Sequence, residues 1–76
     1  MIEGRLEYSE VNDRYRVLND DIWEFEGLHC GETLEVFVDG EWISSRIEMA
    51  WDKEGSHWYL VNTPFWGNLK NVRVRY

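Results

Sequence analysis

The chain has 76 residues, a formal net charge of −7 and a single cysteine, Cys30, which excludes an internal disulfide. This length allows one domain, which we expect to cover residues 1–76, and the acidic balance disfavours direct binding of nucleic-acid phosphates. With no disulfide, no visible signal peptide and no apolar run near the ~20 residues that cross a bilayer, we expect a cytoplasmic location and no membrane partner.

The first predicted element is a hairpin of residues 5–9 and 14–18, which alternate apolar and polar side chains around a polar turn. Setting Ser9 opposite Arg14 gives both faces of the hairpin compatible neighbours. The resulting pairs are Tyr8 with Tyr15, Leu6 with Val17 and Glu7 with Arg16. Residues 2–5 also match a protease-cleavage tag, but the fit of Arg5 and Leu6 to the strand pattern favours native sequence.

Residues 22–26 are predicted to form a short strand that ends at Gly27. Residues 28–32 then form an irregular turn. We interpret Gly27 and Gly31 as positions of positive φ, because no helix follows that would make them a phosphate cradle.

The clearest local signal is Asp39-Gly40 between two alternating apolar runs. It is typical of a two-residue type I′ turn, in which both positions need φ > 0. The turn sets Val38 opposite Glu41 and thereby the register of the whole hairpin. The predicted core face carries Leu34, Val36, Val38, Ile43, Ile47 and Met49. The other face carries Thr33, Glu35, Phe37, Trp42, Ser44, Arg46 and Glu48.

A second turn, at residues 52–55, provides an independent check on that assignment. It sets Met49 opposite Trp58 and Ile47 opposite Leu60. The core face that this hairpin requires is the one that the Asp39-Gly40 turn requires, and a one-residue slip in either hairpin would break the agreement.

Beyond residue 61, Pro64 ends the strand because proline has no N–H to donate to a ladder. We expect residues 62–69 to form an irregular segment or one short 3₁₀ turn. Residues 72–76 are predicted to form a closing strand with its basic side towards solvent. The chain is therefore predicted to be all-β, with five or six short antiparallel strands.

The order of these elements resembles a small SH3-like barrel. Residues 31–36, Gly-Glu-Thr-Leu-Glu-Val, are similar to the diverging turn and second strand of SH3 domains. Trp42 matches the tryptophan that opens their third strand, and Pro64 matches the proline before their last strand. The acidic-aromatic motif of the SH3 first strand is absent apart from Tyr8, so the resemblance implies the fold but does not by itself imply the proline-peptide function.

A second resemblance covers most of the chain. The segment Gly-Leu-His-Cys-Gly-Glu at residues 27–32, with Trp42, residues 46–48 and residues 58–61, is similar to a family of short Firmicute proteins of unknown function. Genes of that family often lie among plasmid, phage or transposon genes. The resemblance implies a bacterial, cytoplasmic protein and supplies neither an activity nor a site.

Side chains that could act as a nucleophile or as metal ligands occur together at His29, Cys30 and Glu32. Neither role is favoured by their spacing or number. Adjacent residues in an extended segment point to opposite sides, and a zinc site needs three or four ligands, whereas the chain has one Cys and two His. We expect Cys30 to pack as a small hydrophobe and the acidic pairs at residues 20–21 and 52–54 to be solvated. No catalytic residue, metal or cofactor is predicted.

Aromatic side chains are the better candidates for function. Most are expected to cover the core, since no helix does so. The sharper hypothesis is that Phe37, Trp42 and Trp66 form a partly exposed patch, edged by Glu35 and Glu48, that binds a basic or proline-rich protein segment. The predicted function is a non-enzymatic interaction module. The alternative is an acidic decoy of a mobile element that occupies a DNA-binding protein, which predicts carboxylates clustered on one face.

Overall fold

The computed structural model describes residues 2–19 and 27–76 completely and residues 22–23 by their backbone. These ranges contain strands and turns, and none of their segments is a helix long and apolar enough to cross a membrane. The strands are β1 (Glu3–Ser9), β2 (Arg14–Asn19), β3 (Ile22–Trp23), β4 (Thr33–Val38), β5 (Glu41–Asp52), β6 (Gly55–Leu60) and β7 (Arg73–Arg75).

The all-β prediction is confirmed. Six strands have three or more residues, as predicted, and the two-residue β3 is the described part of the short strand expected at residues 22–26. The remainder of that predicted strand, residues 24–26, lies outside the described residues.

The three hairpins have the registers that their turns predict. Ser9 pairs with Arg14, Val38 with Glu41 and Met49 with Trp58. At the central turn φ is 49° for Asp39 and 85° for Gly40, so both positions have the positive values that a type I′ turn requires.

All strands belong to one antiparallel sheet with the order β3-β2-β1-β7-β4-β5-β6. The closing strand β7 lies between β1 and β4, so that Val74 pairs with Gly4 on one side and with Val36 on the other. This insertion of the last strand beside the first, followed by a three-stranded meander, is the layout of a small SH3-like barrel.

The sheet curls around a core built from its inner face. The buried cluster comprises Leu6, Tyr15, Val17, Leu28, Leu34, Val36, Ile47, Trp58, Leu60, Leu69, Val72 and Val74. Of the predicted core face, Val38 and Met49 pack partly buried against this cluster, and Ile43 is half-buried. Each fully buried aliphatic side chain contributes about 1.5–3 kcal/mol, which is how a short chain without disulfides reaches a stable fold.

Side-chain contacts connect β2 with β6, although these two strands do not pair with each other in the sheet. The ring of Tyr15 meets that of Trp58 edge to face, with centroids 6.4 Å apart. The Tyr15 hydroxyl accepts a hydrogen bond from the buried N–H of Leu69 at 3.1 Å, and it lies 3.5 Å from the carbonyl oxygen of Gly67. Tyr15 thus ties the segment before β7 to the opposite side of the barrel.

The residues that resemble a cleavage tag are integral to the sheet. Ile2 exchanges two backbone hydrogen bonds of 2.8 Å with Tyr76, and β1 begins at Glu3, two residues earlier than the alternation predicted. A side chain at Gly4 would collide with the carbonyl of Leu18, so the close approach of β1 and β2 requires glycine there.

Candidate functional site

Among the described side chains, the outer face of the sheet carries two groups of aromatic residues, and the first is the pair Phe37 and Trp42. These half-buried rings face each other across β4 and β5, with centroids 5.1 Å apart and planes at 62°. The guanidinium carbon of Arg73 lies 4.8 Å from the Phe37 centroid, and that of Arg75 lies 4.3 Å from the Trp42 centroid. Both distances are within cation–π range, so we name Phe37 and Trp42 the capped pair.

Glu35 holds one of these arginines in place. It lies opposite Arg75 in the pairing of β4 with β7, and its two carboxylate oxygens accept hydrogen bonds from Arg75 Nε at 2.9 Å and Nη2 at 3.2 Å. This hydrogen bonding lowers the pKa of Glu35 and raises the pKa of Arg75. Glu35 therefore interacts with the chain's own arginine at the edge of the capped pair.

The second group lies along β6 and consists of His57, Tyr59 and Trp66, which we name the aromatic stack. Trp66 forms an isolated β-bridge with Tyr59. Its ring stacks on Tyr59, with centroids 5.2 Å apart and planes at 29°, and on His57, with centroids 5.7 Å apart and planes at 30°. Trp66 nevertheless remains 55% exposed, so the aromatic stack presents ring surface to solvent.

Short-range hydrogen bonds place Trp66 beside β6. The Thr63 hydroxyl donates to the Leu60 carbonyl at 2.8 Å and accepts from the Phe65 N–H at 3.2 Å, which closes the turn around Pro64. Gly67 then donates its N–H to the Trp58 carbonyl at 2.7 Å. Phe65 packs against the core, and because side chains alternate in extended backbone, Trp66 points outwards.

Two carboxylates lie beside the aromatic stack. Asp52 Oδ2 is 3.1 Å from His57 Nε2, and the backbone N–H of Glu54, followed by the His57 hydrogen bond, lowers the pKa of Asp52. Glu48 lies directly opposite Tyr59 in the pairing of β5 with β6, and its carboxylate accepts a hydrogen bond of 3.0 Å from Arg46 Nε. The aromatic stack therefore has acidic residues along its border.

An open cleft of about 700 Å³ lies beside Glu35 and is also lined by Glu32, Ser44 and Tyr76. The Tyr76 hydroxyl donates to Glu32 at 3.2 Å, and burial, then the charge of Glu32, raise the pKa of Tyr76. Since Glu32 also accepts a hydrogen bond of 2.9 Å from the backbone N–H of His29, the charged groups lining this cleft interact mainly with other parts of the chain.

The turn at residues 27–32 differs in one respect from its prediction. Gly27 and Gly31 have φ of 150° and 89°, as expected, and His29 hydrogen-bonds locally to Glu32. However, Cys30 is exposed, so the prediction that it packs as a small hydrophobe is wrong. The turn is stabilised by its glycine conformations and by Glu32, and it leaves the thiol outside the core.

One of the two acidic pairs lies at the turn between β5 and β6. Glu54 donates its backbone N–H to Asp52 at 2.8 Å, so the pair at residues 52–54 caps a turn. Within the described ranges no group of three or more His, Cys, Asp or Glu side chains is arranged to hold a metal ion. The pair at residues 20–21 lies outside those ranges.

The five predicted site residues are divided between the two aromatic groups. Phe37, Trp42 and Glu35 belong to the capped pair and its ion pair, whereas Trp66 and Glu48 belong to the aromatic stack and its border. Sequence reasoning missed the capping arginines and the rings that support Trp66. The missed residues are Arg73, Arg75, His57 and Tyr59. The alternation of β6 and β7 was a signal for their outward direction, but their partners come from distant segments.

A family model described as a domain of unknown function, DUF5348, matches residues 4–76. The chain belongs to the DUF5348 family. The structure is also similar to the crystal structure of a protein from Ruminococcus gnavus, a structural genomics target, with a TM-score of 0.77 and 37% sequence identity over 99% of this chain and 100% of that one. No curated protein matches the chain. The DUF5348 assignment agrees with the predicted membership in a family of unknown function, and the neighbour supports the fold.

Proposed function

We propose that this DUF5348 protein is a non-enzymatic interaction module that binds a partner protein through the aromatic stack. The observation that supports this most directly is the 55% exposure of Trp66 although it is stacked on two other rings. Ring surface left open to water in a contiguous patch is a common mark of an interface, and tryptophan is enriched among residues that dominate binding energy.

The capped pair supports the proposal by contrast. Arg73 and Arg75 cover Phe37 and Trp42, so these rings already have partners within the chain. Of the surface foreseen from the sequence, Trp66 and Glu48 carry the proposed binding role. Phe37, Trp42 and Glu35 stabilise the sheet next to it. A bacterial source fits this proposal, since the structural neighbour comes from Ruminococcus gnavus, and we propose a cytoplasmic location with it.

The decoy alternative has less support from the distribution of charge. It needs carboxylates clustered on one face, whereas outer-face glutamates alternate with arginines in ion pairs such as Glu3 with Arg73 at 2.8 Å. Other carboxylates lie at opposite ends of β5, at Glu41, its first residue, and at Glu54 in the turn that follows it. Within the part of the chain that the structure describes, this pattern does not resemble two continuous rows of phosphates.

The test compares two exposed tryptophans. Trp51 is 72% exposed on the same hairpin, but its place in the β5 register puts it on the opposite face from the aromatic stack. Immobilised wild type, Trp66→Ala and Trp51→Ala would be incubated with a lysate of the source organism, and captured proteins quantified by mass spectrometry.

We expect a protein that wild type and Trp51→Ala capture equally and that Trp66→Ala loses. Equal capture by all three proteins, or no specific capture by wild type, would contradict the proposal. Thermal unfolding of each variant shows whether its fold is retained.

A further inference from the structure

We infer that the aromatic stack is a cation–π site for an arginine side chain in a basic segment of the partner. This inference rests on the proposed function and adds the chemistry of what is bound. Three observations support it. The two aromatic groups differ in their cationic neighbours, and carboxylates lie beside the aromatic stack. In addition, four of the chain's own arginines already form ion pairs.

The capped pair provides an internal precedent. On the same outer face, guanidinium groups lie 4.3–5.6 Å from the ring centroids of Phe37 and Trp42, where the negative ring faces attract a cation. Among the described residues, ring–cation contacts occur at these two rings, and none is at Trp66. The aromatic stack thus offers the same ring chemistry, and the partner would supply the cation.

Charge near the aromatic stack favours a cationic ligand. Asp52 contacts His57 and Glu48 faces Tyr59, with Glu54 in the adjoining turn. Two basic residues lie on the same hairpin: Lys53, and Arg46, whose Nε is bound to Glu48. Three carboxylates against two cations leave a local negative excess, and the net charge of −7 adds a long-range attraction for a basic segment.

Most of the chain's own arginines are poor candidates for this role in a second copy, because four of the six already form ion pairs within the chain. Arg5, Arg46, Arg73 and Arg75 are engaged in ion pairs with Glu7, Glu48, Glu3 and Glu35, respectively. Two copies that each carry −7 also repel one another. A partner of opposite charge is therefore favoured over self-association.

Single-stranded nucleic acid also stacks on exposed rings, but its affinity depends on cationic grooves that follow the phosphates. Here the rings are bordered by Asp52 and Glu48, which repel phosphate. Arginine is favoured over lysine because its planar guanidinium stacks on a ring and is more weakly hydrated.

The experiment follows the indole N–H signals of the five tryptophans by ¹H–¹⁵N NMR at low salt. The probes are three peptides of equal length that alternate glycine with arginine, lysine or glutamate, together with oligothymidylate. Trp66→Phe keeps a smaller ring, and Trp66→Leu keeps an apolar side chain without one. Trp51→Ala is the matched control, and amide spectra of each variant show that the fold is intact.

We expect the arginine peptide to shift the Trp66 signal more than the Trp51 signal, and the lysine peptide to bind more weakly. Trp66→Leu should weaken arginine-peptide binding about two- to fivefold, which corresponds to one exposed cation–π contact. Trp66→Phe should retain most of the affinity, Trp51→Ala should match wild type, and Asp52→Asn should weaken binding.

Equal affinity of wild type and Trp66→Leu for the arginine peptide would overturn the inference. So would a stronger response of Trp66 to oligothymidylate or to the glutamate peptide, or a self-association detected by sedimentation that Trp66→Leu abolishes.

The two proposals can fail separately. If Trp66→Ala fails to capture the protein that wild type captures, while the Trp66 signal does not respond to the arginine peptide, the interaction module stands and the proposed cation chemistry is wrong. If Trp66 binds the arginine peptide while Trp66→Ala still captures every protein that wild type captures, the cation site stands and the proposed function fails.

Discussion

The capped pair and the aromatic stack lie on the same outer face of one sheet, and both consist of aromatic rings. The two groups differ in the side chains that surround these rings. At the capped pair, β7 places two arginines over the rings, and Glu35 holds one of them with two hydrogen bonds. At the aromatic stack, two rings of β6 support Trp66 from within the chain, and more than half of that side chain stays exposed.

This difference indicates that aromatic residues on an outer face are not equivalent sites. Rings whose polar and cationic neighbours come from the same chain contribute to folding, because their contacts are formed before any partner arrives. Rings that remain open keep their attraction for a ligand. The comparison predicts that mutations in the capped pair affect mainly stability, and that mutations in the aromatic stack affect mainly binding.

The largest stability effect is expected for Trp42→Ala. It removes a half-buried indole together with its contacts to Phe37, Arg73 and Arg75, and should lower the free energy of unfolding by about 2 kcal/mol, part of the cost of truncating a fully buried tryptophan. For a domain of this size that corresponds to a fall of roughly 8–16 °C in Tm, measured by circular dichroism.

Below its melting temperature, Trp42→Ala should still capture the partner. Trp51→Ala is the control and should change the unfolding free energy by no more than about 0.5 kcal/mol. A Trp42→Ala protein that melts like wild type but loses capture would reverse the roles assigned to the two groups.

An intermediate loss of stability is expected for Tyr15→Phe. This variant tests whether the Tyr15 hydroxyl anchors the segment that carries Trp66. Without the hydroxyl, the N–H of Leu69 loses its acceptor in the core, at a cost of about 1 kcal/mol, the typical net contribution of one intramolecular hydrogen bond. Amide hydrogen exchange should accelerate at Leu69 and Gly67 more than at residues of β4. Tyr8→Phe, which removes a hydroxyl from a ring that is 39% exposed, should leave exchange at Leu69 unchanged. Unchanged exchange in Tyr15→Phe would show that the segment is held without Tyr15.

The smallest expected effect is the pH dependence of the stability that the Glu35–Arg75 ion pair contributes. Hydrogen bonds from Arg75 lower the folded-state pKa of Glu35 below its ordinary value of 4.5. A carboxyl with a depressed folded pKa stabilises the fold above its unfolded pKa, and this contribution disappears as the pH falls through the folded pKa. Glu35→Gln should therefore have a lower Tm than wild type at pH 7, and the two melting curves should converge as the pH falls below 4.5. A gap that is constant with pH would mean that the charge of Glu35 does not contribute.

Local patterns were sufficient to predict the hairpins. The φ values at Asp39-Gly40 follow from the conformational tolerance of those two residues, and the register of β4 with β5 follows from the turn. The register of β5 with β6 could be checked against the same core face, because strand periodicity allows only one face to be apolar. The burial predicted for Cys30 was wrong, because the burial of a turn residue depends on which distant segments cover it.

The candidate site was predicted as a set of outward aromatic and acidic residues, but its division into two groups was not. Alternation gives the direction of Phe37, Trp42 and Trp66, and it says nothing about what lies over each ring. That information required the position of β7 in the sheet, which in turn depends on long-range pairing with β1 and β4.

By itself, the sequence determined the turns, the registers and the inward face, because these depend on residues a few positions apart along the chain. Only the tertiary structure decided which aromatic rings are covered. Glu35 and Arg75 meet across 40 residues, and Tyr15 reaches Leu69 across 54, so both contacts exist only once the barrel has formed. Packing of distant strands thus covers part of Trp42 and leaves Trp66 open to solvent in this DUF5348 protein.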